Sequence, residues 1–173
     1  MNKPIEAFHI APSSEAAGQR ALRNALGVFA TGVTVVTMRG AGGEPIGLTV
    51  NSFNAVSLDP PLIVWSLSLA SPNLESFRGC GHYAVNVLAL DQAWLSQRFA
   101  SREADKFAGL EPKSGLGGAP LLTGCCAWFE CANQAQHAGG DHLLFIGRVE
   151  RHSHHRKEPL VFQGGRYRAL RDV

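Results

Sequence analysis

The residues best suited to bind a ligand lie in one stretch, residues 31–67, where short hydroxyl and amide side chains alternate with apolar ones. The apolar residues Val33, Val35 and Ile46 suit a β-sheet, because β-branched side chains favour strands. The polar side chains between them leave room for a flat molecule, and each can donate or accept hydrogen bonds. A wall of this kind suits a planar, polar cofactor that carries a phosphate group. The polar residues are Thr31, Thr34, Thr49, Asn51, Ser52 and Ser66.

Histidine and cysteine, the usual ligands of transition metals, are present without a metal-binding spacing. His152, His154 and His155 lie close together, but a solvated strand end explains them more simply than a zinc site does. The cysteines match no common zinc pattern either, and we expect buried, reduced thiols, no disulfide and no metal site. They are Cys80, Cys125, Cys126 and Cys131.

Length and composition indicate one globular domain. The chain has 173 residues, of which 45% are hydrophobic and 17% charged, and its net charge is +2. This weak charge argues against a nucleic-acid partner. The low charged fraction leaves apolar surface for a subunit interface, so we expect a homodimer.

The beginning of the chain shows no targeting or membrane signal. Residues 1–18 lack the apolar core of a signal peptide, and no apolar run approaches the length that a bilayer requires. We therefore expect a flexible N-terminal tail at residues 1–13, a single domain at residues 14–173, no membrane association and a cytoplasmic location.

Hydrophobic periodicity divides the domain into many strands and a few short helices. One amphipathic helix is predicted to begin with Ser14 as its N-cap, and another spans residues 71–77 with Ser71 as its N-cap and Pro72 at its first position. Asp91 is predicted to cap a third helix. Many strands with short turns favour a closed or nearly closed β-barrel. The predicted strands are 33–38, 46–50, 53–58, 62–69, 83–88, 127–136, 142–151, 160–162 and 166–168, with 62–69 at the centre because its start is apolar on both faces.

Several common nucleotide and hydrolase signatures are absent from the sequence. No G-x-G-x-x-G segment links a strand to a helix, and there is no P-loop or G-x-S-x-G elbow. A Rossmann domain, a phosphoryl-transfer site and a serine hydrolase are therefore all disfavoured.

Seven short segments, taken in order, resemble the flavin reductase family. They are TGVTVVT, GLTVNSFNAVSLDPP, SPN with a later phenylalanine, YAVNVL, DKF, GDHLLFIGRV and PLVFxGGRY, which together cover about residues 20–170. Each segment alone is weak evidence, but their common order is specific. Members of this family are NAD(P)H:flavin oxidoreductases, and many are reductase components of two-component monooxygenases. The resemblance implies a mainly β domain with flanking helices, the FMN-binding split β-barrel.

The resemblance also implies a role for each candidate residue. In relatives, the TGVT and T-x-N-S segments line the flavin ring and its ribityl chain, while the SPN and DKF segments lie towards the phosphate. A histidine lies beside the nicotinamide, and a C-terminal tyrosine approaches the cofactor. The ring-lining set here is Thr31, Gly32, Val33, Thr34, Thr49, Val50, Asn51 and Ser52; the phosphate set is Ser66, Leu67, Ser71, Asn73, Arg102 and Lys106; Phe107 packs near the ring, and His142 and Tyr167 complete the site.

The implied reaction is hydride transfer from NADH or NADPH to FMN or FAD. His142 is expected to orient the nicotinamide or to assist protonation, and reduced flavin is expected to pass to a separate oxygenase. Two alternatives stay open: a non-catalytic flavin carrier or sensor, and an oxidase related to the pyridoxamine-phosphate oxidase barrel. The sequence does not choose between FMN and FAD, between NADH and NADPH, or among partner oxygenases.

Overall fold

The computed structural model describes residue 12 and residues 14–172. The predicted tail, residues 1–13, therefore lies almost entirely outside the described residues. Within them, the helices are α1 (Ala16–Leu26), α2 (Leu74–Gly79) and α3 (Ala93–Ala100). The strands are β1 (Thr31–Gly32), β2 (Thr34–Arg39), β3 (Pro45–Val50), β4 (Asn54–Leu58), β5 (Pro61–Ser68), β6 (His82–Val87), β7 (Lys113–Ser114), β8 (Pro120–Leu121), β9 (Ala127–Gly139), β10 (His142–His154), β11 (Val161–Gln163) and β12 (Arg166–Arg168).

Most strands belong to one antiparallel sheet with the order β3-β2-β6-β9-β10-β5-β4. A small sheet, β1-β11-β12, and the pair β7-β8 lie beside it. The mainly β architecture with flanking helices is confirmed. The main sheet does not close, because β3 and β4 are its two edges and do not pair with each other, and this open arrangement fits the split β-barrel that the resemblance implies.

The strand predicted to be central, 62–69, corresponds to β5, and this part of the prediction is wrong. β5 is next to the edge strand β4, whereas β9 occupies the middle of the sheet. Along β5, buried residues such as Ile63, Trp65 and Leu67 alternate with half-buried ones. A strand can therefore be apolar on both faces without lying at the centre.

Two apolar clusters hold these elements together. In the first, the fully buried rings of Trp65 and Phe145 stack with centroids 4.4 Å apart, and Tyr83 packs edge-on against Trp65. In the second, Leu95 and Phe99 of α3 pack among buried residues of β2 and of the segment before β11. The second cluster fixes α3 against one end of the sheet.

The helix ends differ from the sequence prediction by a few residues. Glu15 rather than Ser14 is the N-cap of α1, and Gln92 rather than Asp91 is the N-cap of α3. Asn73 is the N-cap of α2, while the Ser71 hydroxyl accepts a hydrogen bond from the Asn73 amide before the helix begins, so the helix begins two residues later than predicted. None of the described helices has the length and apolar character that crossing a bilayer requires.

The cysteines are free thiols, and three of them are buried. Burial raises the pKa of both Cys125 and Cys131 to about 12. Since the thiolate is the reactive form, these two residues are inert at neutral pH. The prediction of buried, reduced thiols is confirmed for Cys125, Cys126 and Cys131, while Cys80 is half-buried.

Above pH 9, the free energy of unfolding should fall. Unfolded thiols lose their protons near their ordinary pKa of 9.0, whereas Cys125 and Cys131 keep theirs up to about 12. The unfolded chain thus binds fewer protons between pH 9 and 12, and each thiol lowers the free energy of unfolding by up to about 1.4 kcal/mol per pH unit. Urea unfolding at stepwise pH measures this slope. Cys131→Ala should make the decline shallower, and an unchanged slope would contradict the explanation.

Candidate active-site cleft

A cleft of about 1190 Å³ opens beside the edge strand β3. Residues 44–49 form one wall, residues 71–73 before α2 form one end, and residues 99–107 form the other wall. The volume somewhat exceeds the roughly 300–1,000 Å³ of ordinary small-molecule sites. The cleft can therefore accept a ligand of nucleotide size.

The β3 wall is the free edge of a sheet rather than one of its faces. Side chains alternate between the two faces of a strand, yet consecutive residues from 44 to 49 all border the cleft. Among the described strands, β3 pairs only with β2. Its outer row of backbone N–H and C=O groups therefore offers both donors and acceptors to a ligand.

An aromatic pair packs against the middle of β3. Phe99 and Phe107 meet edge to face, with ring centroids 5.0 Å apart. Gly47 lies so close to them that an added Cβ would be 2.7 Å from the Phe99 ring and 3.2 Å from the Phe107 ring. Only glycine lets the two rings approach the strand this closely.

The loop after α3 supplies the positive charge of the cleft. Lys106 Nζ donates a hydrogen bond to the backbone oxygen of Phe99 over 2.9 Å, so the ammonium group is held at the wall. Burial lowers the pKa of Lys106, and the nearby Glu103 carboxylate partly offsets this effect. Arg102 borders the cleft and is exposed. The acidic residues along the same cleft are Glu44, Glu103 and Asp105.

Six of the predicted site residues border this cleft. The hydroxyl of Thr49 donates to the backbone oxygen of Ser96 over 2.7 Å, which leaves only its lone pairs for a ligand. The Ser71 hydroxyl is hydrogen-bonded to the Asn73 amide at 3.3 Å. The six residues are Thr49, Ser71, Asn73, Arg102, Lys106 and Phe107.

Four other predicted residues direct their side chains into the protein. Val33, Val50 and Leu67 are buried in the two apolar clusters. The Thr34 hydroxyl is buried and donates to the Val50 backbone oxygen over 3.1 Å. Binding by these four residues stays a prediction, and it would have to use backbone atoms.

Ser52 and Ser66 form a reciprocal pair beyond the end of β3. The Ser52 hydroxyl donates to the Ser66 backbone oxygen at 3.2 Å and accepts from the Ser66 amide at 2.9 Å. This pair joins the connection between β3 and β4 to β5. Asn51 is exposed beside it.

Tyr167 does not border the cleft, although the sequence predicts its approach to the cofactor. Its hydroxyl donates to the Ser96 hydroxyl over 2.9 Å, and its ring packs edge-on against Phe162 at 5.7 Å. Direct contact between Tyr167 and a ligand stays a prediction.

His142 begins β10, directly after the turn at residues 140–141 that joins β9 to β10. Its Nδ1 lies 2.8 Å from a carboxylate oxygen of Asp141, and this hydrogen bond lowers the pKa of Asp141. An ionised carboxylate only accepts, so Nδ1 carries the hydrogen and Nε2 is left for a ligand. His142 pairs with Ser68, and the Leu69 amide donates to the Asp141 backbone oxygen, which ties the turn to the segment before Ser71.

Comparison with known proteins decides the family. The family model described as the flavin reductase like domain matches residues 26–171. The chain belongs to the flavin reductase-like family. The resemblance stated from the sequence motifs is therefore confirmed.

Members of the flavin reductase-like family match most of the chain. FMN reductase (NADH) SmoA from Agrobacterium fabrum is 46% identical over 148 residues, 86% of this chain and 84% of SmoA. HsaB from Rhodococcus jostii, the reductase subunit of a flavin-dependent monooxygenase, is 40% identical over 161 residues, 92% of this chain and 82% of HsaB. The chain spans only 44% of the length of a probable flavin reductase from Rhizobium meliloti that is 47% identical over 137 residues, 79% of this chain.

A solved structure in the flavin reductase-like family shares the fold over nearly its whole length. It is the NADH:FAD oxidoreductase SgcE6 from Streptomyces globisporus, solved in complex with NAD and FAD fragments. The TM-score is 0.87 at 35% identity, and the match covers 95% of this chain and 98% of SgcE6.

The residues present fit a flavin, the group that the flavin reductase-like family implies. The Thr31 hydroxyl is buried without a hydrogen-bond partner in the described part of the chain, so a polar ring edge could satisfy it. Beside it, a Cβ added to Gly32 would have no described atom within 4 Å, which leaves open space for a close approach. Thr31 and Gly32 lie outside the residues that border the cleft, where the β3 edge, the aromatic pair and the loop cations supply the other groups.

The site residues predicted from the sequence do not include the first half of β3 or Phe99, although both border the cleft. A signal for Gly47 does exist, because a glycine inside a strand often marks a close approach of other atoms. Phe99 gives no such signal, since an apolar residue on an amphipathic helix is expected to be ordinary core.

Proposed function

We propose that this chain transfers a hydride from NADH to FMN or FAD and supplies reduced flavin to a separate oxygenase. The cleft beside β3 carries the proposal, because a free strand edge, an aromatic pair and two cations border one space. These groups match the polar ring edge, the apolar ring face and the phosphate of a flavin nucleotide. The reductases of FMN and FAD among the relatives support the same reaction.

A bound flavin supplies the hydride acceptor, so the chain's own residues bind, orient and exclude water. The outer edge of β3 binds the polar edge of the ring, while Phe99 and Phe107 exclude water from the wall. Arg102 and Lys106 bind the phosphate. Lys106 gives one of its three hydrogens to the Phe99 oxygen, which holds the ammonium in place and leaves two hydrogens for the anion.

His142 is proposed to orient the nicotinamide or to move a proton at its Nε2. The Asp141 carboxylate fixes the ring and the position of the hydrogen on Nδ1. Pairing with Ser68 holds His142 near the segment that leads to Ser71, at the α2 end of the cleft.

A partner oxygenase and a cytoplasmic location belong to the same proposal. HsaB is the reductase subunit of a monooxygenase, and we propose that this chain also works with a separate oxygenase. The free thiols of the described cysteines suit a reducing compartment such as the cytoplasm.

We propose that the chain forms a homodimer through the apolar face of α1. This helix has no buried residue in the described structure; Leu26 at its end is 67% exposed, and Phe29, three residues beyond it, is 75% exposed. An isolated helix of this length is only marginally stable in water, so we expect another protein surface to pack against its apolar face. Light scattering should give twice the 18.5 kDa chain mass. A monomer mass at micromolar concentration would contradict the proposal.

Nucleotide oxidation tests the proposed reaction. Purified protein should oxidise NADH at a rate that rises with added FMN or FAD, with NADPH measured in parallel. Riboflavin lacks the phosphate that Arg102 and Lys106 are proposed to bind, so its KM should be higher than that of FMN. Flavin binding without NADH oxidation would instead favour the carrier or sensor. Oxidation of pyridoxamine phosphate without use of NADH would favour the oxidase, and either result would overturn the proposal.

A further inference from the structure

We infer that Ser96 is a positioning residue of the cleft, which holds the edge strand β3 against α3 through bonds to Thr49 and Tyr167. The inference rests on the proposed function. Ser96 is 2% exposed, so water does not replace its partners. Its backbone oxygen accepts from the Thr49 hydroxyl over 2.7 Å, and its side-chain oxygen accepts from the Tyr167 hydroxyl over 2.9 Å.

The bond from Thr49 joins the two walls of the cleft. β3 forms one wall, and the end of α3 with the following loop forms the other. Gly47 and Phe99 provide an apolar contact between these elements, and the bond between Thr49 and Ser96 provides a polar one. The width of the cleft therefore depends on how firmly α3 is held at Ser96.

The bond from Tyr167 joins α3 to the small sheet. Tyr167 pairs with Phe162 on the neighbouring strand, and Phe162 pairs in turn with Thr31. Thr31, whose hydroxyl has no partner, and Gly32, beside the open space, are thus linked through the small sheet and Tyr167 to α3 in the wall of the cleft. Ser96 is bonded to both β3, through Thr49, and the small sheet, through Tyr167.

Two variants remove the bond between Ser96 and Tyr167 with little change in shape. Ser96→Ala and Tyr167→Phe should each raise the Kd for FMN about three- to ten-fold, the effect expected for one hydrogen bond. At saturating FMN, kcat of Ser96→Ala should stay within about two-fold of the wild type, because Ser96 is not placed at the reacting atoms. The double variant should bind FMN no more weakly than either single variant, since both remove one shared bond.

A matched control separates positioning from general loss of stability. Tyr83→Phe makes the same change at a fully buried tyrosine whose hydroxyl has no hydrogen-bond partner in the described structure. This variant should bind FMN like the wild type.

Amide hydrogen exchange in the ligand-free protein gives a measurement that does not depend on flavin. Segments 45–49 and 99–107 should exchange faster in Ser96→Ala and Tyr167→Phe than in the wild type or Tyr83→Phe. Unchanged exchange, or additive effects in the double variant, would overturn the inference. A wild-type protein that fails to bind FMN would overturn the proposed function, while exchange would still decide the role of Ser96.

Discussion

Replacing Gly47 with alanine should weaken FMN binding by about ten-fold or more and destabilise the protein by about 1–3 kcal/mol, the usual cost of overpacking. The new Cβ would lie 2.7 Å from Phe99, which is 1% exposed and enclosed by the second apolar cluster. Phe99, Phe107 and β3 all border the cleft, so the strain from this contact changes the shape of the cleft wall. FMN fluorescence quenching and urea unfolding measure the two effects.

Gly81→Ala is the matched control for this variant. A Cβ at Gly81 would have no described atom within 4 Å, and the residue lies outside the cleft. Both FMN affinity and stability should stay at wild-type values. A Gly47→Ala protein that loses stability but keeps its FMN affinity would show that the aromatic pair has no part in binding.

Replacing His142 with alanine should lower kcat for NADH oxidation by about 100-fold, the lower limit of the usual contribution of a positioned acid or base. The affinity for FMN should change by less than about two-fold, because His142 lies outside the residues that border the cleft. Steady-state kinetics at saturating FMN and a separate FMN titration measure the two quantities. Equal losses of turnover and of FMN binding would contradict the proposed role.

Two further variants test whether the effect is specific to the Asp141–His142 pair. Asp141→Asn keeps a hydrogen-bond acceptor but removes the charge, so kcat should fall less than in His142→Ala. His137→Ala changes a second, exposed histidine on the same hairpin and should leave kcat unchanged.

The hydrogen bond from His142 lowers the pKa of Asp141, so this carboxylate stays ionised at neutral pH and loses its charge only in acid.

The positions of the strands follow directly from the sequence because their signals are local. Glycines mark the turn between β9 and β10, and apolar runs mark β2, β3 and β10 within a few residues. The order of the family motifs also predicts which distant segments approach one another. Residues 71–73 and 102–107 are 29 positions or more apart in the chain, yet they border the same cleft.

Edge positions and hydrogen-bond partners could not be predicted in the same way. Whether β5 or β9 lies at the centre of the sheet depends on pairing between strands that are distant in the sequence. Such pairing produces no periodic pattern of residues. The sequence predicts that the hydroxyls of Thr49, Ser52 and Tyr167 face a ligand, but each is already hydrogen-bonded to another residue. The sequence does not distinguish a threonine or serine hydroxyl that binds a ligand from one that binds a neighbouring backbone carbonyl.

In the proposed binding mode, the outer edge of β3 recognises the ring through peptide groups, which every type of residue carries. The side chains of Ile46 and Leu48, which pack against the first apolar cluster, would then not be needed for contact with the ring. Gly47 cannot diverge so freely, because a side chain there displaces the aromatic pair. If this binding mode holds, change in ligand preference should concentrate in the loop at residues 101–107 rather than in β3.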